Sequence, residues 1–226
     1  MARQTILIIR HADKPEPGGD VGVDAVGVPD KNSLTPRGWQ RAGIWAELFA
    51  PSLGQQRLLP KPSAIFASAP ASKAEIATGH GGSKSRRPLE TISPLAAKLG
   101  IDVDLRFAKG QEADLAAALS RMDGVALVCW QHEDIAAIAN ALSPQPQGVP
   151  GKWPGERFNV VFCFDRLDAA AAWTFRQLVP VMLNGDGSTP IWRAPPSALS
   201  GGGVQRHSSS RSSGPVSRIG DVESDN

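Results

Sequence analysis

The sequence predicts an α/β sandwich with a mostly parallel central sheet. Short apolar runs at 5–10, 63–70 and 125–130 have the length of buried strands. Stretches with a helical spacing of apolar residues separate them, and this alternation is typical of a parallel sheet covered by helices on both faces. Two late runs, 158–165 and 171–179, have no helix between them, which predicts an antiparallel edge.

The N-terminal part predicts a strand, a loop and a helix in that order. The run TILIIR forms the strand, and the Gly-, Pro- and Asp-rich segment 15–33 forms the loop. Thr35 is suited to cap a helix, and Pro36 suits its first position. An apolar stripe from Trp39 to Phe49 then gives this helix a face for the core.

The middle of the chain predicts a second strand, a loop and a second helix. Segment 71–85 carries Gly, Ser and charged residues and is interpreted as a loop. The helix that follows has Pro88 in its first turn and Gly100 as its stop signal. Further elements are predicted in order: a strand at 101–107, a helix at 111–122, a strand at 125–130, a helix at 132–142, and strands at 158–165 and 171–179.

The C-terminal 32 residues differ in composition from the rest. From Pro195 onward, nine Ser, five Gly and three Pro leave few apolar residues. Such a segment buries too little surface to offset its chain entropy. We therefore expect one domain over residues 1–194 and a disordered tail over 195–226.

Charge and hydropathy restrict the class of partner. A formal net charge of +2 over 226 residues does not favour nucleic acid. No apolar run approaches 18 residues, and the run at Ile6–Ile9 is too short for a secretory signal. We expect a cytoplasmic protein with no membrane partner. Cys129 and Cys163 lie in apolar stretches, which predicts buried, reduced thiols.

Chemically active side chains follow three of the predicted strands. Arg10-His11 ends the first, Arg86-Arg87 follows the second after a loop, and Gln131-His132-Glu133 ends the third. Ligands of open α/β sheets bind beyond the carboxyl ends of the strands. One arginine can donate two parallel hydrogen bonds to two oxygens of a phosphate, and an imidazole can attack phosphorus. The pattern therefore predicts a phosphate site.

Four motifs in this order resemble the histidine phosphatase superfamily, which includes phosphoglycerate mutases. The resemblance covers residues 4–185. The motifs are Arg10-His11-Ala12; Leu34-Thr35-Pro36 with Gly38, Gln40 and Ala42; Arg87-Pro88 with Glu90-Thr91 and Pro94-Leu95; and His132-Glu133.

This resemblance implies a phosphoglycerate mutase-like fold and a role for each site residue. His11 would be the nucleophile that becomes phosphorylated. Arg10 and Arg87 would bind the phosphoryl oxygens, and His132 would donate to the same oxygens. Glu133 is the candidate acid that protonates the leaving group, which requires a pKa above the ordinary value of about 4.3. The family works without a metal, and no cofactor is implied.

The chain departs from the family pattern between Ser68 and Arg87. Members commonly carry the second arginine directly after a Ser-Pro pair, whereas here Lys73 stands at that offset. We assign the role to Arg87 and treat 71–85, with Lys73 and His80, as an insertion. Near the nucleophile, Asp13 and Lys14 suit either substrate contact or an ion pair.

Several functions remain open at this stage. The resemblance favours hydrolysis of a phosphomonoester, on a phosphorylated small molecule or a phosphoprotein. A phosphomutase and a protein phosphohistidine phosphatase would use the same residues. A non-catalytic module that binds a phosphorylated ligand is the alternative outside the enzymes. The sequence predicts neither the physiological substrate, nor the oligomeric state, nor a role for the tail.

Overall fold

A computed structural model describes residues 3–78, 82–143 and 148–191, apart from the side chains of Lys73 and Ile76. The chain divides into units of residues 1–193 and 194–226. The predicted tail, 195–226, lies outside the described residues, as does His80.

The centre of the fold is a six-stranded mixed sheet. Its strands are β1 (Gln4–Arg10), β2 (Ala64–Ala67), β3 (Val103–Asp104), β4 (Gly124–Trp130), β5 (Val161–Arg166) and β6 (Thr174–Leu178), and their spatial order is β3-β2-β4-β1-β5-β6. Strands β1 to β4 are parallel to one another, whereas β5 pairs antiparallel with both β1 and β6. Both the parallel centre and the antiparallel edge are as predicted.

Five helices occur in the described residues: α1 (Pro36–Phe49), α2 (Lys73–Ala77), α3 (Arg87–Leu99), α4 (Glu112–Leu119) and α5 (Ile135–Leu142). Helices α1 and α3 pack on one face of the sheet, where Trp45 and Leu95 meet Leu7 and Leu127. Helices α4 and α5 pack on the other face, against Ile8 and its neighbours. The three-layer sandwich is thus confirmed, and strand β1 is buried on both faces along its whole length.

The start of α1 and the end of α3 follow the predicted local signals. The Thr35 hydroxyl accepts a hydrogen bond from the Gly38 amide, with Pro36 at the first helical position. Gly100 ends α3 in the left-handed conformation, with φ of 65°. These two helices fix the loops that flank the end of β1.

Some predicted boundaries were wrong. The segment predicted as a loop at 71–85 contains the short helix α2. Ser72 and Glu75 exchange hydrogen bonds at its start, which is the reciprocal arrangement of a capping box. Helix α5 begins at Ile135 rather than at His132, because residues 132–134 form a turn. Both cysteines are buried and unpaired, as predicted.

Candidate active site

The ends of two adjacent parallel strands, β1 and β4, bring the two predicted histidines together. Arg10 and Trp130 are register partners at the ends of β1 and β4, and the His11 amide donates to the Trp130 carbonyl at 3.1 Å. His132 follows β4 by two residues. Its ring therefore meets that of His11 edge to face, with centroids 6.4 Å apart. Two residues 121 positions apart in the sequence thus form a pair.

His11 is held as a neutral imidazole. Its side chain is buried, and Nδ1 lies 2.8 Å from the Ala12 carbonyl oxygen. With the proton on Nδ1, this bond leaves the Nε2 lone pair free. Burial and the charge of Arg10 hold the pKa of His11 well below its usual range. An unprotonated imidazole is the form that acts as a nucleophile.

Arg10 is fully buried but only partly paired. Its Nη1 donates to the carbonyls of Pro154 and Arg157, each at 3.4 Å, and most closely to that of Gly155. The guanidinium carbon lies 3.8 Å from the centre of the Phe158 ring. Nε and Nη2 have no hydrogen-bond partner among the described residues. Burial lowers the pKa of Arg10 to about 10, so the group stays charged at neutral pH.

Further polar atoms without partners lie at the same edge of the sheet. Within the described chain, the Ser68 hydroxyl after β2 and the Gln131 side-chain amide after β4 are buried and make no hydrogen bond. Buried polar groups are nearly always paired with protein, water or a ligand. Their concentration beyond the carboxyl ends of β1, β2 and β4 favours a polar ligand site there.

His132 and Glu133 lie side by side at the rim. His132 Nδ1 is 2.7 Å from Glu133 Oε2, but this nitrogen has no oriented hydrogen bond in the described residues. The two side chains therefore lie close together without a hydrogen bond between them. Burial and the charge of Arg10 lower the pKa of His132, which makes it neutral.

Glu133 is a carboxylate in this arrangement. Its side chain is half-exposed, and Lys109 Nζ lies 3.2 Å from its Oε1. Burial raises the pKa of Glu133, but a backbone hydrogen bond, His132 and Lys109 outweigh that effect and lower it below the usual value. A general acid needs the opposite shift. An incoming phosphate anion, however, raises the pKa of a neighbouring carboxyl group.

Of two adjacent arginines, Arg87 is the one coupled to the site. It is half-buried at the start of α3, and its Nε donates to the Ser85 hydroxyl at 2.9 Å. Burial lowers the pKa of Arg87, and its charge contributes to the lowered pKa values of His11 and Arg10. The side chain of Arg86 is 49% exposed and lies 3.6 Å from Glu90.

The remaining residues of the Arg87 motif brace the loops of the site. The Thr91 hydroxyl accepts a hydrogen bond from the Ala12 amide at 2.8 Å, directly after His11. Glu90 accepts from the Leu34 amide at 2.9 Å and from the Ser33 hydroxyl at 2.7 Å. Helix α3 therefore fixes both the loop after β1 and the start of α1.

Sequence reasoning missed a buried ion network centred on Arg41. Its Nε and Nη2 bind the Asp13 carboxylate at 2.6 and 3.3 Å, and its Nη1 and Nη2 bind Asp186 at 2.8 and 2.9 Å. Arg37 donates to Asp13 at 3.1 Å. Asp13 and Lys14 both form ion pairs, with Lys14 3.2 Å from Glu16, and substrate contact by either residue stays a prediction.

A cavity of about 540 Å³ lies beside the histidine pair. His11 and His132 do not line it, but Phe158 and Gly155 form part of its wall. The Phe158 ring packs on Arg10, with its centroid 6.4 Å from that of the His11 ring. The cavity thus shares a wall with the candidate site.

No group of three or more His, Cys, Asp or Glu side chains in 3–78, 82–143 and 148–191 is arranged to hold a metal ion. None of the described helices has the length and apolarity needed to cross a bilayer.

Comparison with known proteins gives similarities of fold only. Neither a family profile nor a curated protein matches the chain. Similar solved structures include a mycobacterial glucosyl-3-phosphoglycerate phosphatase, with 14% identity, 79% of this chain and 98% of that chain covered, and a TM-score of 0.44. A phosphoserine phosphatase from Entamoeba histolytica has 13% identity, 79% and 98% coverage, and a TM-score of 0.46. Similarity at this level does not bear on substrate or mechanism.

Proposed function

We propose that the chain is a phosphatase of the histidine phosphatase type, which hydrolyses a phosphomonoester through a phosphohistidine on His11. One observation carries this proposal. A fully buried arginine, Arg10, has an Nε and an Nη2 with no partner in the described part of the chain, directly beside a neutral imidazole. The four sequence motifs that resemble the family support the same proposal.

The unpaired atoms of Arg10 have the geometry for a phosphoryl group. Nε–H and one Nη2–H point the same way from one edge of the guanidinium plane, so they donate in parallel to two oxygens of a phosphate. The third nitrogen is fixed by backbone carbonyls. Arg41 is a useful contrast, since carboxylates already occupy both of its edges.

In the first step, His11 Nε2 attacks phosphorus. A nitrogen–phosphorus bond forms and the bond to the leaving oxygen breaks. The Ala12 carbonyl accepts from Nδ1–H and steadies the imidazole as positive charge develops. Arg10, Arg87 and His132 offset the negative charge on the phosphoryl oxygens in the transition state.

The leaving oxygen takes up one proton to become an alcohol. We assign this proton to Glu133, on the condition that the bound phosphate anion raises its pKa from the low value in the free site. In the second step, water attacks the phosphohistidine, the nitrogen–phosphorus bond breaks, and the Glu133 carboxylate takes up one proton from the water. Inorganic phosphate leaves, and the neutral imidazole of His11 is restored.

Phosphate release from an aryl phosphate tests the proposal. We expect the full chain to hydrolyse this probe equally well with and without a strong chelator, and we expect His11→Ala to lose at least a thousandfold in rate. Loss of activity with chelator would assign the chemistry to a metal. A rate for His11→Ala within tenfold of the unchanged chain would refute the nucleophile. Binding without turnover would favour the non-catalytic module.

A further inference from the structure

The cavity beside the histidine pair is placed to receive the leaving group of a substrate whose phosphate is held by Arg10. Its wall includes Phe158, which covers Arg10, and Gly155, whose carbonyl receives Arg10 Nη1. Gly155 also stands next to His132, since a Cβ built on it lies 3.9 Å from Nε2. The leaving group of a phosphate bound at Arg10 therefore lies next to this cavity.

The charges of this cavity are unequal. Five carboxylates and three cations line it. Two of the cations are neutralised by ion pairs with two of the carboxylates. Arg41 binds both Asp13 and Asp186, and Arg37 also donates to Asp13. This part of the wall is therefore close to neutral.

The remaining cation of the wall is Lys14, which pairs with Glu16 at 3.2 Å. Asp20 and Glu156 are the two carboxylates of the wall that remain outside these ion pairs. Both are exposed, and neither makes an ion pair or a side-chain hydrogen bond within the part of the chain that the structure describes. The cavity thus carries a surplus of two negative charges directly beside a cationic phosphate site.

We propose that the cavity selects phosphomonoesters whose leaving group carries an ammonium group, and that Asp20 and Glu156 are its specificity-determining residues. This inference rests on the proposed function. A zwitterionic ester places its phosphate at Arg10 and its cation toward the unpaired carboxylates. A leaving group with a carboxylate or a second phosphate meets repulsion instead. A volume of about 540 Å³ suits a small molecule.

Three alkyl phosphates of matched length test this selectivity. They are 2-aminoethyl phosphate, propyl phosphate and 2-carboxyethyl phosphate, which carry an ammonium, a methyl and a carboxylate group at the far end of the same two-carbon spacer. We expect kcat/KM for the amino ester to exceed that for propyl phosphate about three- to tenfold, as one or two exposed charges allow. The carboxylate ester should be the poorest, and the differences should shrink as salt is raised.

The variants Asp20→Asn and Glu156→Gln remove the two charges without changing shape. In the double variant, we expect the ratio of kcat/KM for the amino ester to kcat/KM for propyl phosphate to fall to within twofold of one. Asp102→Asn is the matched control, because Asp102 is exposed and lines a different hollow beside β3. It should leave all three values unchanged.

The outcomes separate this inference from the proposed function. If neither an aryl phosphate nor any alkyl phosphate is hydrolysed, the proposed function fails. If the esters are hydrolysed at equal kcat/KM, or the carboxylate ester is preferred, the charge selection is refuted while the phosphatase stands. A preference for the amino ester that persists in the double variant would refute the role of Asp20 and Glu156.

Discussion

Replacement of Arg41 by methionine removes the centre of the ion network that flanks the candidate site. The Arg41 side chain is 1% exposed, and Asp13 and Asp186 are 12% and 6% exposed. Loss of the guanidinium leaves the buried Asp186 carboxylate without its cation and leaves Asp13 with Arg37 alone. Breaking a single buried pair in this way costs about 3–5 kcal/mol. We expect Arg41→Met to lose about 4 kcal/mol of unfolding free energy, a large share of the ordinary stability of a domain.

Equilibrium unfolding in urea measures this loss. With an m-value of about 2 kcal/mol/M, the midpoint should fall by about 2 M. Adding Asp186→Asn to Arg41→Met should recover part of the loss, because one uncompensated charge disappears. Arg106→Met is the control, since Arg106 pairs with Asp104 on an exposed surface and its loss should not move the midpoint. A midpoint for Arg41→Met within about 0.3 M of the control would refute the reasoning.

Three further predictions concern the site itself. Because the pKa of folded His11 lies well below 6.5, unfolding takes up a proton in mild acid. Urea midpoints should therefore fall as the pH drops below about 6.5, and His11→Asn should flatten that fall. Glu133→Gln should lower kcat for an alkyl phosphate at least tenfold and leave an aryl phosphate nearly unchanged, because only the poorer leaving group needs the proton. Equal effects on both esters would assign the proton to another group. Arg87→Lys should lower kcat/KM about a hundredfold, as loss of one oxyanion donor does, whereas Arg86→Lys should leave it within twofold; comparable losses would refute the choice between them.

The strands and their ends could be predicted because local patterns determine them. Apolar runs predicted β1, β2 and β4, and the polar residues directly after β1 and β4 predicted the site. The rule that parallel strands share a carboxyl edge then placed Arg10, His11 and His132 together. The structure shows this juxtaposition, with the two histidine rings 6.4 Å apart.

The ion network could not be predicted because its partners are remote in sequence. Arg41 lies on a helix whose apolar stripe looks ordinary, and Asp186 follows it by 145 residues. Phe158 stands at the start of an apolar run and looked like part of a strand, yet β5 begins only at Val161 and the ring covers Arg10. The roles of these residues depend on tertiary contacts, which local sequence patterns do not predict.

Helix α2 was missed although a local signal existed. Ser72 and Glu75 have the spacing of a capping box, but the Gly and Ser residues nearby indicated a loop. The lowered pKa of Glu133 could not be predicted from the sequence either, because Lys109, which contributes to it, lies 24 residues away.

Direct detection of phosphohistidine tests the central claim most directly. The full chain would be mixed with an aryl phosphate, stopped within one turnover by alkaline quench, and its peptides examined by mass spectrometry. We predict a phosphoryl group on His11 that appears with the first equivalent of aryl alcohol and decays as inorganic phosphate is released. Turnover with no phosphorylated His11 at any time, or with the group on another residue, would contradict the account.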